Sequence, residues 1–307
     1  MASRIAPQAV PGASFIDPKT LARIGNLELL ARTVVEGFLN GLHRSPHLGA
    51  SMDFAEHRAY MPGDDIRRID WKLFARSDRY FIKEFEADTN TNFLVLLDVS
   101  ASMGFAGPGS ISKLDYAKYL AACLSYFSSH QRDRVGMVTF DNDVVDYVPP
   151  SAKHLNIVLH TLDRLKAGGK GELERPLRKI SESVRRRSML VLISDLYHEP
   201  EDVLRAIAHL RGKGNDLIVF HVLDRAELEF PFDTASQFED VESGEKLPVI
   251  PDKLRSRYRE MIAGHIDTLG RLLGQNRIDY TLFDTSKPLD HALFTYLSNR
   301  QRLMRVR

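Results

Sequence analysis

The chain has 307 residues, 43% of them hydrophobic and 27% charged, which is enough to bury one large core and a smaller one. Its 42 basic residues nearly balance its 41 acidic residues, which argues against a protein dedicated to nucleic-acid binding. The single cysteine, Cys123, excludes an internal disulfide. No run approaches the roughly 18 to 20 apolar residues of a membrane span, and the N-terminal residues lack the apolar core of a signal peptide. We therefore expect a cytoplasmic protein with no membrane span.

The N-terminal region predicts a loose arm followed by a small packed element. Residues 1–16 are rich in Ala, Pro, Gly and Ser, which is typical of a flexible arm. A helix is predicted from Asp17, which can cap it, with Pro18 in the first turn. Within 17–90, the sequence then predicts a small α+β element from a turn signal at 62–65, one or two helical turns over 66–74 and an extended segment over 80–85.

From Phe93 onward, apolar runs alternate with amphipathic stretches, which predicts an α/β fold with a doubly wound, mostly parallel sheet over 91–307. The run 93–97 is continuously apolar, as expected for a strand buried on both faces. The segment 144–148 follows the strand at 135–140 too closely for a helical crossover, so it should be antiparallel. Residues 224–250 lack a helical period and predict an insertion. Further strands are predicted at 189–193, 217–223 and 278–283, and helices at 114–127, 153–166, 174–186, 200–212, 251–273 and 288–300.

Two acidic residues stand where predicted strands end. Asp98 directly follows the strand 93–97, and Asp195 follows the strand 189–193. In open α/β sheets, ligands bind beyond the carboxyl ends of the strands. The two carboxylates therefore converge if their strands are neighbours.

The sequence Asp98-Val99-Ser100-Ala101-Ser102 places three oxygen-bearing side chains on alternate residues of one turn. Hard cations such as Mg²⁺ prefer oxygen ligands and keep several waters. Asp and Ser are also common in loops and helix caps, so the motif gains its weight from its position at a strand end. We predict that Asp98, Ser100, Ser102 and Asp195 hold Mg²⁺ or Mn²⁺, and that a partner's carboxylate completes the metal's coordination shell.

Several stretches beyond this motif form a specific pattern, above all the block 58–72, with Pro-Gly-Asp-Asp at 62–65 and Trp-Lys at 71–72. On these residues the sequence resembles the bacterial domain-of-unknown-function 58 family, a von Willebrand factor A-like group associated with MoxR-type AAA+ ATPases. The resemblance implies a non-enzymatic adaptor that works with such an ATPase to assemble, activate or chaperone a client protein. The other matching stretches are 75–76, 83–86, 98–103, 113–117, 133–136 and 238–245.

The sequence departs from the family's metal motif at one position. Complete metal sites of von Willebrand factor A domains usually carry a threonine where this chain has Gly171, which offers no side-chain oxygen. Glu172 or water would have to substitute for it. His198, three residues after Asp195, is a further candidate to line the pocket, with a surface loop histidine as the alternative.

Two other functions stay open. A metal-dependent hydrolase needs a base or nucleophile near the metal, and Glu172 and His198 are the available candidates. A metal-free scaffold would keep the fold without the threonine. The basic residues around Trp71 suggest either a phosphate or nucleic-acid patch or internal ion pairs, and the balanced charge favours ion pairs; these residues are Arg67, Arg68, Lys72, Arg76 and Arg79.

Overall fold

The computed structural model describes residues 18–21, 25–43, 56–61, 69, 71–77, 79–84, 91–184, 187–212, 214–234, 236–239, 244, 246–249, 251–289, 293 and 296. The predicted arm over 1–16, the turn over 62–65 and most of the predicted helix over 288–300 lie outside these residues. The chain forms two compact units, one of Met1–Ser14 with Glu36–Thr89 and one of Phe15–Val35 with Asn90–Arg307.

The bounds of the elements define the labels used below. None of the described helices is long and apolar enough to cross a membrane. The helices are α1 (Pro18–Leu21), α2 (Leu27–His43), α3 (Trp71–Ser77), α4 (Lys113–His130), α5 (Leu155–Arg164), α6 (Glu174–Ser183), α7 (Pro200–Arg211), α8 (Arg225–Glu229) and α9 (Pro251–Gln275). The strands are β1 (Glu56–Ala59), β2 (Phe81–Glu84), β3 (Asn92–Asp98), β4 (Arg134–Phe140), β5 (Val144–Ser151), β6 (Ser188–Ser194), β7 (Asp216–Leu223), β8 (Ser236–Glu239), β9 (Lys246–Val249) and β10 (Asp279–Asp284).

The described part of the smaller unit contains an antiparallel pair of strands and a short helix. β1 pairs with β2, and α3 lies between them in the sequence. The ring of Phe74 on α3 stacks on Tyr80, with the ring centroids 4.5 Å apart. The aromatic contact therefore joins the helix to the residue that precedes β2.

The larger unit is built on a six-stranded sheet with the order β10-β7-β6-β3-β4-β5. All neighbouring strands are parallel except β5, which runs antiparallel to β4. The predicted α/β class, the mostly parallel sheet and the antiparallel edge strand are confirmed. The chain passes from β3 outward to β4 and β5 and then returns to β6 on the other side of β3, so the strand order reverses between β3 and β6. Ligands of such sheets bind at this switch point.

The segment 224–250 begins with a helix that no sequence period reveals. α8 follows β7 directly, and its five residues are too few to show a helical repeat. The carboxylate of Asp224 accepts from the N–H of Ala226, and Glu227 accepts from the N–H of Asp224, so the two acids form a capping box. β8 and β9 then pair as an antiparallel hairpin.

α4 begins directly beside the strand ends. Ser112 caps it, because its hydroxyl accepts from the N–H of Asp115 at 3.0 Å. The apolar face predicted for this helix is buried. Its first residue, Lys113, is buried as well, with no exposed side-chain surface. The start of α4 thus brings a cation to the carboxyl end of the sheet.

Candidate metal centre

The pairing of β3 with β6 brings the two predicted strand-end acids together. Leu97 lies opposite Ile193, so Asp98 and Ser194 are the next residues on the two strands. The hydroxyl of Ser194 donates to Asp98 Oδ2 at 2.6 Å, and the N–H of Ser100 donates to Asp98 Oδ1 at 2.9 Å. Both oxygens of this buried carboxylate therefore accept from neutral donors.

The two serines of the motif lie side by side. A 3₁₀ turn over Ala101–Gly104 follows Ser100, and Ser100 Oγ lies 3.1 Å from Ser102 Oγ. Neighbouring oxygen ligands of an octahedral Mg²⁺ are about 3 Å apart, because each lies about 2.1 Å from the ion. The spacing of the two hydroxyls thus suits two adjacent ligands.

A glycine-containing loop holds this turn in place. The N–H of Gly168 donates to Val99 O at 2.9 Å, and the N–H of Ala101 donates to Gly169 O at 3.0 Å. Gly169 has a φ of 76°, a backbone conformation that glycine adopts at low cost. The loop that contains Gly171 therefore lies against the serine turn, although Gly171 itself supplies no oxygen ligand from its side chain.

Asp195 is bound by a cation that the sequence motif does not include. The ammonium of Lys113 donates to Asp195 Oδ2 and to Glu227 Oε1, each at 2.7 Å. The side chains of Lys113 and Asp195 are 0% and 4% exposed, and that of Glu227 is 12% exposed. The three side chains form a buried ion triad next to Asp98.

Two aromatic rings and a further hydrogen bond lie beside the triad. The ammonium of Lys113 lies 4.7 Å from the ring centre of Tyr197 and 5.9 Å from that of Phe105, both within cation–π range. Glu227 Oε2 accepts from the N–H of Asp224 at 2.8 Å, so both oxygens of Glu227 are used. Two carboxylates and two aromatic rings therefore hold the ammonium of Lys113 in position.

The pKa values of Asp98 and Lys113 are both shifted by burial and by neighbouring charges. Burial, and next the charge of Asp195, raise the pKa of Asp98 from 3.8 to about 6, although the hydrogen bonds from Ser100 and Ser194 act in the opposite direction. Burial acts to lower the pKa of Lys113, but the charges of Asp195 and Glu227 raise it above its ordinary value. The cluster thus contains three carboxylates and one ammonium, which pairs with Asp195 and Glu227, so the site has an excess of negative charge when Asp98 is ionised.

The donors present fit a hard divalent ion. Two hydroxyls and two carboxylates are the oxygen ligands that Mg²⁺ and Mn²⁺ prefer, and the excess negative charge favours a cation. In the described part of the chain, no group of three or more His, Cys, Asp or Glu side chains is arranged to hold a metal. The site would therefore depend on Ser100 and Ser102, with Asp195 shared between the ion and Lys113.

The two additional pocket candidates, Glu172 and His198, take no part in this hydrogen-bond network. Glu172 is exposed, and its N–H donates to Asp141 O at 3.3 Å. His198 is half-buried, and its N–H donates to Leu196 O at 2.7 Å. Among the residues that the structure describes, no hydrogen bond or ion pair joins Glu172 or His198 to Asp98 or Asp195.

Sequence reasoning missed three residues of the site: Lys113, Ser194 and Glu227. Ser194 is the last residue of β6, directly before the predicted ligand Asp195. Asp224 and Glu227 have the Asp-x-x-Glu spacing of a capping box, which was an available signal for α8. A lysine at the first position of an apolar helix gave no comparable signal, because lysine is almost never fully buried.

Together, the sheet order and the acid-and-hydroxyl cluster at its strand ends define a von Willebrand factor A-like α/β protein. The family model described as "Protein of unknown function DUF58" matches residues 56–267, more than half of the chain. The chain belongs to this family, and the resemblance found in the sequence is confirmed.

Relatives and solved structures extend the comparison. Uncharacterised proteins of Mycobacterium bovis and Mycobacterium tuberculosis are each 29% identical over 243 residues, which cover 78% of this chain and 76% of the relative. The conserved hypothetical protein BatB from Bacteroides thetaiotaomicron is similar in structure, with a TM-score of 0.48 and 16% identity over 69% of this chain and 99% of that chain. The SpRpn10 VWA domain has a TM-score of 0.40 and 11% identity over 66% and 93% of the two chains. These structural likenesses concern the fold alone.

Proposed function

We propose that this protein is a non-enzymatic, metal-dependent protein-binding module that acts in the cytoplasm as an adaptor for a MoxR-type AAA+ ATPase. Its role would be to assemble, activate or chaperone a client protein. Membership of the DUF58 family supports a role in protein interaction. The association with the ATPase follows from the resemblance of the sequence to a group linked to such ATPases.

The observation that carries the metal-dependent part is the convergence of Asp98, Ser100 and Ser102 with Asp195 at the switch point of the sheet. A bound Mg²⁺ or Mn²⁺ would offer a coordination position to a carboxylate of the partner protein. Asp98, Ser100, Ser102 and Asp195 would hold the ion, and the two carboxylates would balance its charge. Asp98 is kept in place for this by the hydrogen bonds from Ser194 and from the N–H of Ser100.

A metal-free scaffold is the second candidate, and one observation favours it. The ammonium of Lys113 already lies 2.7 Å from Asp195 Oδ2, so a cation of the chain itself binds one of the predicted ligands. Under this alternative, the partner would bind at the strand ends without a metal ion, and Lys113 would supply the positive charge at the site. The hydrolase alternative gains no comparable support, because Glu172 and His198 form no hydrogen bond or ion pair with the two acids.

Co-purification with a MoxR-type ATPase of the same genome tests the proposal. Tagged wild type, Asp98→Ala and the control Asp163→Ala, which changes an exposed aspartate on α5, are each incubated with the purified ATPase in Mg²⁺ or in a chelator. We expect retention of the ATPase by the wild type and the control in Mg²⁺ only, and loss with Asp98→Ala. Retention that ignores both the chelator and Asp98→Ala would favour the metal-free scaffold.

A further inference from the structure

Lys113 has an environment that is rare for a lysine. Its side chain has no exposed surface, and its ammonium donates to two carboxylates at 2.7 Å each. Lysine is almost never fully buried unless it is paired, since moving an ammonium out of water is strongly unfavourable. The two carboxylates offset this cost.

The position of Lys113 in its helix adds a second cost. It is the first residue of α4, a helix of 18 residues, and the positive end of a helix dipole disfavours a cation. A neutral residue would suit the helix better. The ion pairs with Asp195 and Glu227, and not the stability of α4, therefore account for a charged residue at this position.

Asp195 is the point where this lysine meets the candidate metal centre. Asp195 is both a predicted metal ligand and a partner of Lys113, so a divalent ion bound near Ser100 and Ser102 would compete with the ammonium for the same carboxylate. Two cations that share one carboxylate repel each other, and this repulsion is strong inside a protein, where the effective dielectric constant is low.

We propose that Lys113 is the internal counter-cation of the strand-end site. It holds Asp195 and Glu227 together without a metal and weakens the binding of a divalent ion. This inference rests on the proposed metal-dependent function, and it describes how that site is regulated: the ion binds weakly to the chain alone and more tightly when a partner's carboxylate adds negative charge.

The test is Mn²⁺ binding by the full chain, followed through the electron paramagnetic resonance signal of free Mn²⁺. Lys113→Met and Lys113→Gln remove the charge at nearly constant length, and Lys153→Met makes the same change at an exposed position. We expect both Lys113 variants to bind Mn²⁺ at least about tenfold more tightly than the wild type. Lys153→Met should bind like the wild type.

A fourth variant should change the Mn²⁺ affinity in the opposite direction, and it tests the inference even if the Lys113 variants do not fold. Glu227→Gln leaves the lysine in place and removes one negative charge beside it, so Mn²⁺ affinity should fall below that of the wild type. The extra thermal stabilisation that Mn²⁺ gives each folded variant should follow the same order. A lysine that only supports the fold would leave the Mn²⁺ affinity unchanged or reduce it when replaced.

The outcomes separate this inference from the proposed function. Lys113 variants that bind Mn²⁺ no better than the wild type, including the case in which no variant binds it, would overturn the inference. If the Lys113 variants do not fold, unchanged or tighter Mn²⁺ binding by Glu227→Gln would overturn it. Tighter Mn²⁺ binding by the Lys113 variants would support it even if ATPase retention proved independent of metal, a result that would count against the proposed function alone.

Discussion

The two acids of the strand-end site differ in what binds them. Asp98 accepts hydrogen bonds from an amide and a hydroxyl, which carry no charge, whereas Asp195 accepts from the ammonium of Lys113. Among the described residues, no cation donates a hydrogen bond to Asp98, and burial, followed by the charge of Asp195, raises its pKa to about 6. The two carboxylates at these neighbouring strand ends therefore differ in their surroundings: Asp195 belongs to an ion triad with Lys113 and Glu227, and we propose that the charge of Asp98 attracts a divalent cation.

The largest expected effect is the loss of Asp195. Asp195→Ala leaves the buried ammonium of Lys113 with Glu227 as its only carboxylate, and breaking a buried pair in this way should cost about 3 kcal/mol of unfolding free energy. Chemical denaturation in the presence of a chelator measures it. Asp202→Ala, at an exposed position on α7, is the matched control and should leave the stability nearly unchanged. If both variants were equally stable, the triad would have no structural role.

A smaller effect of opposite sign is expected at Asp98. The pKa of Asp98 is raised from 3.8 to about 6 in the folded protein. Ionisation is therefore harder in the folded than in the unfolded chain, and the unfolding free energy falls as the pH rises through that range. Asp98→Asn keeps the shape and removes the charge, and its Nδ2 can donate to Ser194 Oγ. At neutral pH without metal, the variant should be more stable than the wild type by about 2 kcal/mol.

The pH dependence of this difference separates charge from packing. The advantage of Asp98→Asn should be small below pH 3.8, should grow as the wild-type carboxyl ionises and should level off above about pH 6. Unfolding free energies measured for both proteins across this range give the profile. A variant that is less stable than the wild type at every pH would show that its hydrogen bonds, and not the buried charge, dominate at this position.

Much of the fold could be predicted from the sequence. The apolar run 93–97 and its terminal Asp98 are local signals, and the short link from β4 to β5 leaves no room for a crossover helix, so the antiparallel edge follows. The pairing of β3 with β6 is different, because it joins segments about a hundred residues apart in the sequence. The convergence of Asp98 and Asp195 was therefore conditional on the sheet order.

The ion triad could not be predicted, because its members lie far apart in the sequence and because a buried lysine is rare. Lys113 meets Glu227 across 114 residues of sequence, and Glu227 lies on a helix of five residues that is too short to show a period. Lysine side chains are also rarely buried in proteins, so burial would not be predicted for a given lysine. The ion pairs of Lys113 with Asp195 and Glu227, which only the three-dimensional structure reveals, identify Lys113 as part of the site.

The central claim is that the acids and hydroxyls at the ends of β3 and β6 form a site for a divalent ion. Mn²⁺ titration of the wild type and of Asp98→Asn tests this most directly, because the substitution removes the carboxylate charge while the fold is kept or stabilised. We expect the wild type to bind one Mn²⁺ per chain and the variant to bind it at least about tenfold more weakly. Equal Mn²⁺ affinity in the two proteins would contradict the assignment of Asp98 to a metal site.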